Sequence, residues 1–173
     1  AEGAGSLCNF QVSLRPRSDI PNNSLHPGTR AEVLTFNSGG TGARPLKDGL
    51  NATAFPSGVM TMPIEATEHT GPIVIWRKEL RPDSCGAGTY RGGLGQFMEI
   101  GAREGYEFDF SAMFDRVSHP ARGRHGGTDG ACTNICYDDG TKMRGKGKQF
   151  VAHGRRVQLA FPGGGGYGPP AGR

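Results

Sequence analysis

Glycine sets the terms on which this chain can fold. There are 30 glycines and 12 prolines among its 173 residues. They break every window in which a long helix could form. No stretch of twelve or more residues carries an apolar stripe at 3.6-residue spacing without a Gly or Pro inside it. Between the glycines lie short runs rich in β-branched and aromatic residues, bounded by Gly, Pro, Asp or Asn, which is the pattern of strands. They occupy 31–37 (AEVLTFN), 73–80 (IVIWRKEL), 96–100 (QFMEI), 108–114 (FDFSAMF), 133–137 (TNICY) and 156–161 (RVQLAF). Strands without helices between them cannot easily make parallel crossovers. The expected fold is therefore mainly β, an antiparallel sandwich or curled sheet with long Gly-rich loops and little helix, in a single domain over 1–173. A helical turn or two fits 46–55 (LKDGLNATAF), with Gly49 in its middle. Asp138-Asp139-Gly140 is expected to turn a hairpin. Residues 1–10 and 163–173 are expected to be irregular, poorly packed tails unless a partner covers them.

The formal net charge is only +4, with acids scattered among the bases. The densest basic tract, 142–148 (KMRGKGK), has no interleaved aromatics. It reads as a solvated turn in preference to a phosphate-neutralising stripe, so no nucleic-acid partner is expected. Cys132 and Cys136 have no second pair at ligand distance, which argues against a zinc knuckle, and no metal site is expected on this chain. With Cys8 and Cys85 they fit reduced thiols of a cytoplasmic protein. No run has the length of a membrane span. The opening AEGAGSLCNF lacks both the basic start and the apolar run of a signal peptide, and it has no initiator Met, as expected of a chain that begins inside a longer polypeptide.

Four segments are too dense in glycine for ordinary turns. In 37–45 (NSGGTGARP), Gly39, Gly40 and Gly42 would let backbone N–H groups approach an anion or flat ligand, because no Cβ intervenes. Arg44 would add a fork of donors for carboxylate or phosphate, oriented by Asp48. No Lys-Ser/Thr pair and no helix follows, so neither a P-loop nor a dinucleotide site is matched. The competing reading is a tight turn at a strand end, with Arg44 and Asp48 in a local salt bridge. In 81–95, Arg81 and Arg91 flank Cys85, which is either a thiol activated by them or a bystander. In 123–127 (GRHGG), His125 is either a proton donor or metal ligand, or an exposed loop residue. The last segment, 161–168 (FPGGGGYG), carries no charge and suits a groove lining or backbone packing. Serine-hydrolase and zinc-protease motifs are absent.

Taken in order, these segments resemble the C-terminal region of the hydantoinase B/oxoprolinase family. The resemblance is carried by GGTGARP at 39–45 with KDGL at 47–50, ATAFPSG at 52–58, PIE at 63–65 and ELRPDS at 79–84. It continues with GAG at 86–88, RGGLGQ at 91–96, SAMFDR at 111–116 and PGGGGYG at 162–168. Cys85 stands where the family usually has Gly. The resemblance implies a division of labour: an A-type component uses ATP to phosphorylate a cyclic amide or ketone, and a B-type component acts on the activated intermediate. On that basis the chain is expected to be part of a B-type component that opens hydantoin, 5-oxoproline or lactam rings. It would be inactive alone and reach ATP through its partner component, with a divalent metal held by the upstream part of the B-type subunit. The implied partners are that upstream part, the A-type ATPase component and a small cyclic amide, in a hetero-oligomer. Two alternatives stand beside it: part of an ATP-dependent ketone carboxylase, and a non-catalytic assembly module. Arg44 and Asp48 are the candidate catalytic residues, and Gly39, Gly40, Gly42, Arg91 and His125 the candidate binding residues.

Overall fold

The computed structural model describes residues 1–5, 8–19, 28–53, 58 and 61–170. The elements are β1 (Asn9–Pro16), β2 (Ala31–Thr35), α1 (Ile64–His69), β3 (Ile73–Leu80), β4 (Gln96–Ala102), β5 (Tyr106–Met113), β6 (Asn134–Tyr137), β7 (Lys146–Val151) and β8 (Arg156–Ala160). They form two four-stranded sheets, ordered β2-β1-β5-β7 and β3-β4-β8-β6, and every strand pairing is antiparallel. The expected mainly β, antiparallel architecture is what is found.

The period-2 alternation of a half-buried strand explains the core. Phe10, Val12 and Leu14 of β1 and Phe108, Phe110 and Ala112 of β5 point inward from one sheet, and Met98, Ile100, Val157 and Leu159 from the other. Phe10 and Phe110 lie 5.3 Å apart between ring centroids. Phe114 bridges to Phe161 at 5.7 Å, so an aromatic row runs towards one end of the sandwich. Each of the buried Phe, Leu, Ile, Val and Met side chains among these stabilises the fold by about 1.5–3 kcal/mol.

The six expected strands appear within a few residues of their expected ends, and β1 and β7 are additions. Residues 1–10 and 163–173 are not poorly packed where they are described: Cys8 and Phe10 are fully buried, and Gly163 to Gly166 are buried as well. Residues 46–53 hold no helix. Arg44 and Lys47 close a two-residue turn instead, through Arg44 N–H to Lys47 O at 2.9 Å and its longer reciprocal at 3.4 Å. Residues 54–55 of that expected helical stretch lie outside the described residues. The helix that is described, α1, has six residues. The basic tract is not a free turn: Lys146 and Lys148 belong to β7 and pair with Asp115 and Asp109 at 3.2 and 2.9 Å. Gly140 turns at φ 82, donating to Tyr137 O at 2.9 Å, as the Asp-Asp-Gly sequence led one to expect.

The glycine strings leave the strands at one end of the sandwich and pack there backbone against backbone. The 162–168 segment runs through their middle. Gly40 N–H donates to Pro162 O at 3.0 Å, Gly86 N–H to Gly164 O at 2.8 Å, Ala43 N–H to Gly165 O at 2.9 Å and Arg124 N–H to Gly166 O at 2.9 Å. A Cβ on Gly40 would lie 1.8 Å from Gly93 O, and one on Gly164 would lie 1.9 Å from Thr41 O. Both distances are far inside van der Waals contact with backbone that cannot step aside, so only glycine permits this layer.

Candidate functional site

The glycine layer fixes the base of the Arg44 turn. Gly42 and Ala43 leave the layer, Pro45 and Leu46 form the tip, and the chain returns through Asp48 to Gly49, whose N–H donates to Arg91 O at 2.8 Å. The turn is thereby tied to the 84–95 string. Asp48 is the junction. Its Oδ1 accepts the backbone N–H of Arg91 at 2.9 Å, and its Oδ2 lies 3.6 Å from Arg91 Nε. Arg44 reaches only the carbonyl of Asp48, at 3.4 Å. The carboxylate therefore orients Arg91 and not Arg44, which differs from the sequence reading on either of its branches. Both arginines nonetheless flank one aspartate, and all three side chains are exposed. Arg44 is left with a guanidinium that no carboxylate pairs among the described residues.

Of the three candidate glycines, Gly42 is half-buried, and Gly40 donates its N–H to Pro162 O at 3.0 Å. Gly39 and Gly40 are buried, and the N–H groups of Gly40, Thr41 and Ala43 are taken by Pro162, Leu50 and Gly165 carbonyls. These residues build the platform from which the exposed Arg44 turn leaves.

His125 sits on the same layer, at another part of its rim. It and Gly126 are the central residues of a turn closed by Gly127 N–H to Arg124 O at 3.1 Å. Both have positive φ, 52 and 89, a strained setting for histidine. Its ring lies 4.8 Å from that of Tyr167. Tyr167 in turn exchanges backbone bonds with Tyr90, next to Arg91. A backbone path of tyrosines thus runs from Arg91 to His125. Sequence reasoning passed over Tyr90 and Tyr167 because neither carries a charge.

The other arginine of the 81–95 segment is structural. Arg81 is half-buried and donates through Nη1 to the carbonyls of Cys132 (2.7 Å) and Phe161 (3.1 Å), bolting the glycine layer to β8. A further cluster escaped the sequence reading. Glu2 accepts from Arg122 Nε at 2.8 Å, Arg116 Nη1 at 3.1 Å and Arg124 Nη2 at 3.1 Å. The Arg122 side-chain and backbone bonds, with the charge of Arg116 added, hold the Glu2 carboxyl down at about 2. No signal in the sequence marks this cluster, since its members are more than a hundred residues apart.

Among the described residues, no group of three or more His, Cys, Asp or Glu stands together as a metal-ligand set. No helix among the described residues is long and apolar enough to cross a membrane.

Known proteins share the family and the fold. The family model described as hydantoinase B/oxoprolinase matches residues 1–170. The 5-oxoprolinase 1 of Arabidopsis thaliana is 32% identical over 136 residues, covering 75% of this chain and 10% of that protein. Among solved structures, the ATP-dependent caprolactamase of Pseudomonas jessenii superposes with a TM-score of 0.68 at 22% identity, covering 95% of this chain and 30% of that one. A nucleotide-free acetone carboxylase, which carries out ATP-dependent acetone carboxylation, superposes at 0.65 and 18% identity, covering 96% and 26%. At these identities the two structures establish a shared fold. The chain spans about a tenth to a fifth of the length of curated relatives it matches.

Proposed function

The chain belongs to the hydantoinase B/oxoprolinase family, and from that premise we propose that it is part of the B-type component of an ATP-dependent cyclic amidohydrolase. In this reading an A-type ATPase component phosphorylates the amide of a small ring, and the B-type component receives the activated intermediate. The present residues contribute one wall of the reaction chamber, completed by the rest of the B-type polypeptide in a hetero-oligomer.

The observation that carries the reading is the convergence of Arg44 and Arg91 on Asp48, on a turn whose base is fixed by a glycine layer. A phosphorylated ring amide brings anionic phosphate oxygens, and attack on its carbon develops further negative charge. Guanidiniums held in place before the reaction stabilise such charge without reorganising, and they suit phosphate geometry. Arg44, having no carboxylate partner among the described residues, is the donor for the intermediate. Asp48 positions Arg91 beside it, and His125 stands along the rim to bind a more distant part of the ligand. Gly39, Gly40 and Gly42 support the site by permitting the close packing beneath it.

The test is Arg44→Ala in the complete complex, purified through a tag on this chain. Turnover is expected to fall more than about tenfold, the scale of one removed charge-stabilising donor, while the complex stays assembled. Unchanged turnover would leave the chain as an assembly module. The ketone carboxylase reading fits the fold shared with acetone carboxylase. ADP release that needs a ketone and bicarbonate, instead of a cyclic amide, would replace the hydrolase reading by that one.

A further inference from the structure

An open cavity of about 530 Å³ lies at the end of the sandwich opposite the glycine layer. β2, β3 and β5 begin there and β4 ends there, whereas the glycine strings follow the ends of β2, β3 and β5 and precede β4. The eight residues of β3 or β5 put roughly 25 Å between the two ends. Three segments meet around the cavity. Arg103 N–H donates to Pro72 O at 2.8 Å, and its Nη2 stands 3.4 Å from Glu68 O, which ties the β4–β5 turn to the end of α1. A Cβ on Gly71 would lie 3.1 Å from both Ala31 Cβ and Val33 Cγ2, so the start of β2 closes on the same junction. The lining carries charges of both signs, Arg30, His69 and Arg103 against Glu32, Glu68 and Glu104. Two of the acids are engaged. Glu68 Oε1 accepts Ile75 N–H at 2.7 Å, and Glu32 Oε2 accepts from Gln11 Nε2 and Ser13 Oγ at 2.9 and 2.7 Å. The side chains of Arg30, His69 and Glu104 have no polar partner among the described residues, and the Arg103 guanidinium has only its long contact. Tyr106 also lines the cavity. It is only 4% exposed, yet its hydroxyl makes no hydrogen bond among the described residues, whereas a buried phenol ordinarily finds a partner.

We infer that this cavity binds a small dipolar molecule, a linear amino acid whose carboxylate meets Arg30 and Arg103 and whose ammonium meets Glu104. A plain anion would face three carboxylates there, and a plain cation two guanidiniums. A molecule with both charges leaves neither sign unanswered. Guanidiniums present paired donors that match the two oxygens of a carboxylate, and the Tyr106 hydroxyl is a further donor. The volume lies within the roughly 300–1,000 Å³ of pockets for small molecules and admits a chain of several carbons. The charged groups are open to water, so each contact is weak. Selectivity for two charges over one is therefore the mark of the site. A lactam, once opened, is such a molecule, with the amine and the carboxylate left by one amide bond. That origin rests on the amidohydrolase reading above, whereas the binding itself does not.

The experiment follows ligand binding to the complete complex by saturation-transfer NMR, which reads weak ligands of large assemblies. The ligands are ω-amino acids from glycine to 6-aminohexanoate, each titrated beside the carboxylate and the amine of the same chain length. The expected result is that at least one amino acid binds about fivefold or more tightly than both of its singly charged analogues, the scale of one partly exposed ion pair. Arg103→Gln should weaken that binding about fivefold, and Glu104→Gln should bring it to the affinity of the carboxylate analogue. Both side chains are exposed, so neither change touches the core. Arg44→Ala should leave the affinity unchanged, because that residue stands at the other end. Equal affinities for one and two charges, or no binding along the series, overturn the assignment. Loss of binding with Arg44→Ala but not with Arg103→Gln puts the molecule in the reaction chamber and overturns it as well. ADP release by the same complex with a lactam tests the origin separately. If no lactam is consumed while Arg103-dependent binding persists, the amidohydrolase reading falls and the dipolar site stands.

Discussion

Glu2 shows how much of this molecule is decided by single side chains. Three arginines and the Arg122 backbone N–H surround one carboxylate, whose side chain is only 20% exposed. The bonds are charge-assisted, and the Glu2 carboxyl falls from its ordinary 4.5 to about 2. A depressed carboxyl stabilises the folded state fully above its unfolded value, near 4.5. That stability is lost as pH falls through the folded value, near 2. Arg122 and Arg124 are half-exposed or more, so screening reduces the gain to about 1–2 kcal/mol. Glu2→Gln should therefore lower the thermal midpoint at pH 7 by a few degrees. The gap to the native chain should close as pH is taken from 5 towards 2. Melting curves across that range check it, and a gap that stays constant would show that Glu2 acts through shape and not charge.

Among the secondary-structure elements, the strands that the sequence made legible are the ones with apolar residues on their inner face and turn residues at both ends, such as β3, β4 and β8. β1 carries the same alternation, Phe10, Val12 and Leu14 against Gln11, Ser13 and Arg15. It was obscured by its place next to a glycine-rich opening that reads as a tail. β7 was hidden for another reason. It is an edge strand in which Val151 is the fully buried residue, and its lysines answer acids across the sheet, the composition by which edges avoid further pairing. The candidate site was half legible: Arg44, Asp48 and Arg91 do meet, but which arginine the carboxylate serves depends on a turn that no periodicity encodes. Within β3 an irregularity between Ile75 and Arg77 leaves Trp76 without a register partner. Its ring lies out on the sheet, 54% exposed, with the Arg156 guanidinium 4.0 Å from its centre. A Cβ at Gly101 would just touch Trp76 Nε1, at 3.4 Å, so only atoms beyond a Cβ would reach into the ring's place. Gly101→Val would put branched methyls into that space and lift the indole away from Arg156, at a cost of about 1 kcal/mol in lost cation–π and apolar contact. The chain has one tryptophan, so its fluorescence reads this event directly. The expected result is emission shifted to the red and more accessible to quenchers, and an unshifted spectrum would show that Gly101 does not seat the ring.

For the molecule as a whole, two kinds of packing are joined end to end: a side-chain core between two sheets, and a backbone core without side chains. The second depends on one segment. Residues 162–168 make eleven backbone hydrogen bonds to the other glycine strings and to Glu2, which tie together parts of the chain that are remote in sequence. At about 0.5–1.5 kcal/mol net for each bond, their sum is comparable with the whole stability of a typical domain, about 5–15 kcal/mol. Losing the segment would also strip the donors of buried Gly40, Ala43 and Gly86 of their acceptors, a further cost wherever water does not replace them. The sheets cannot stand apart from this loss, because Phe161 carries the aromatic row up to the start of the segment and Arg81 clasps its carbonyl. A chain ending at Phe161 should therefore fail to fold cooperatively, and not merely fail to assemble. In circular dichroism on heating it should show no sharp transition, and its amides should exchange without lasting protection. If the shortened chain instead melts sharply near the native midpoint, the sandwich is independent of the glycine layer. The 162–168 segment would then serve docking to other subunits, and the Arg44 turn would have to owe its geometry to those subunits.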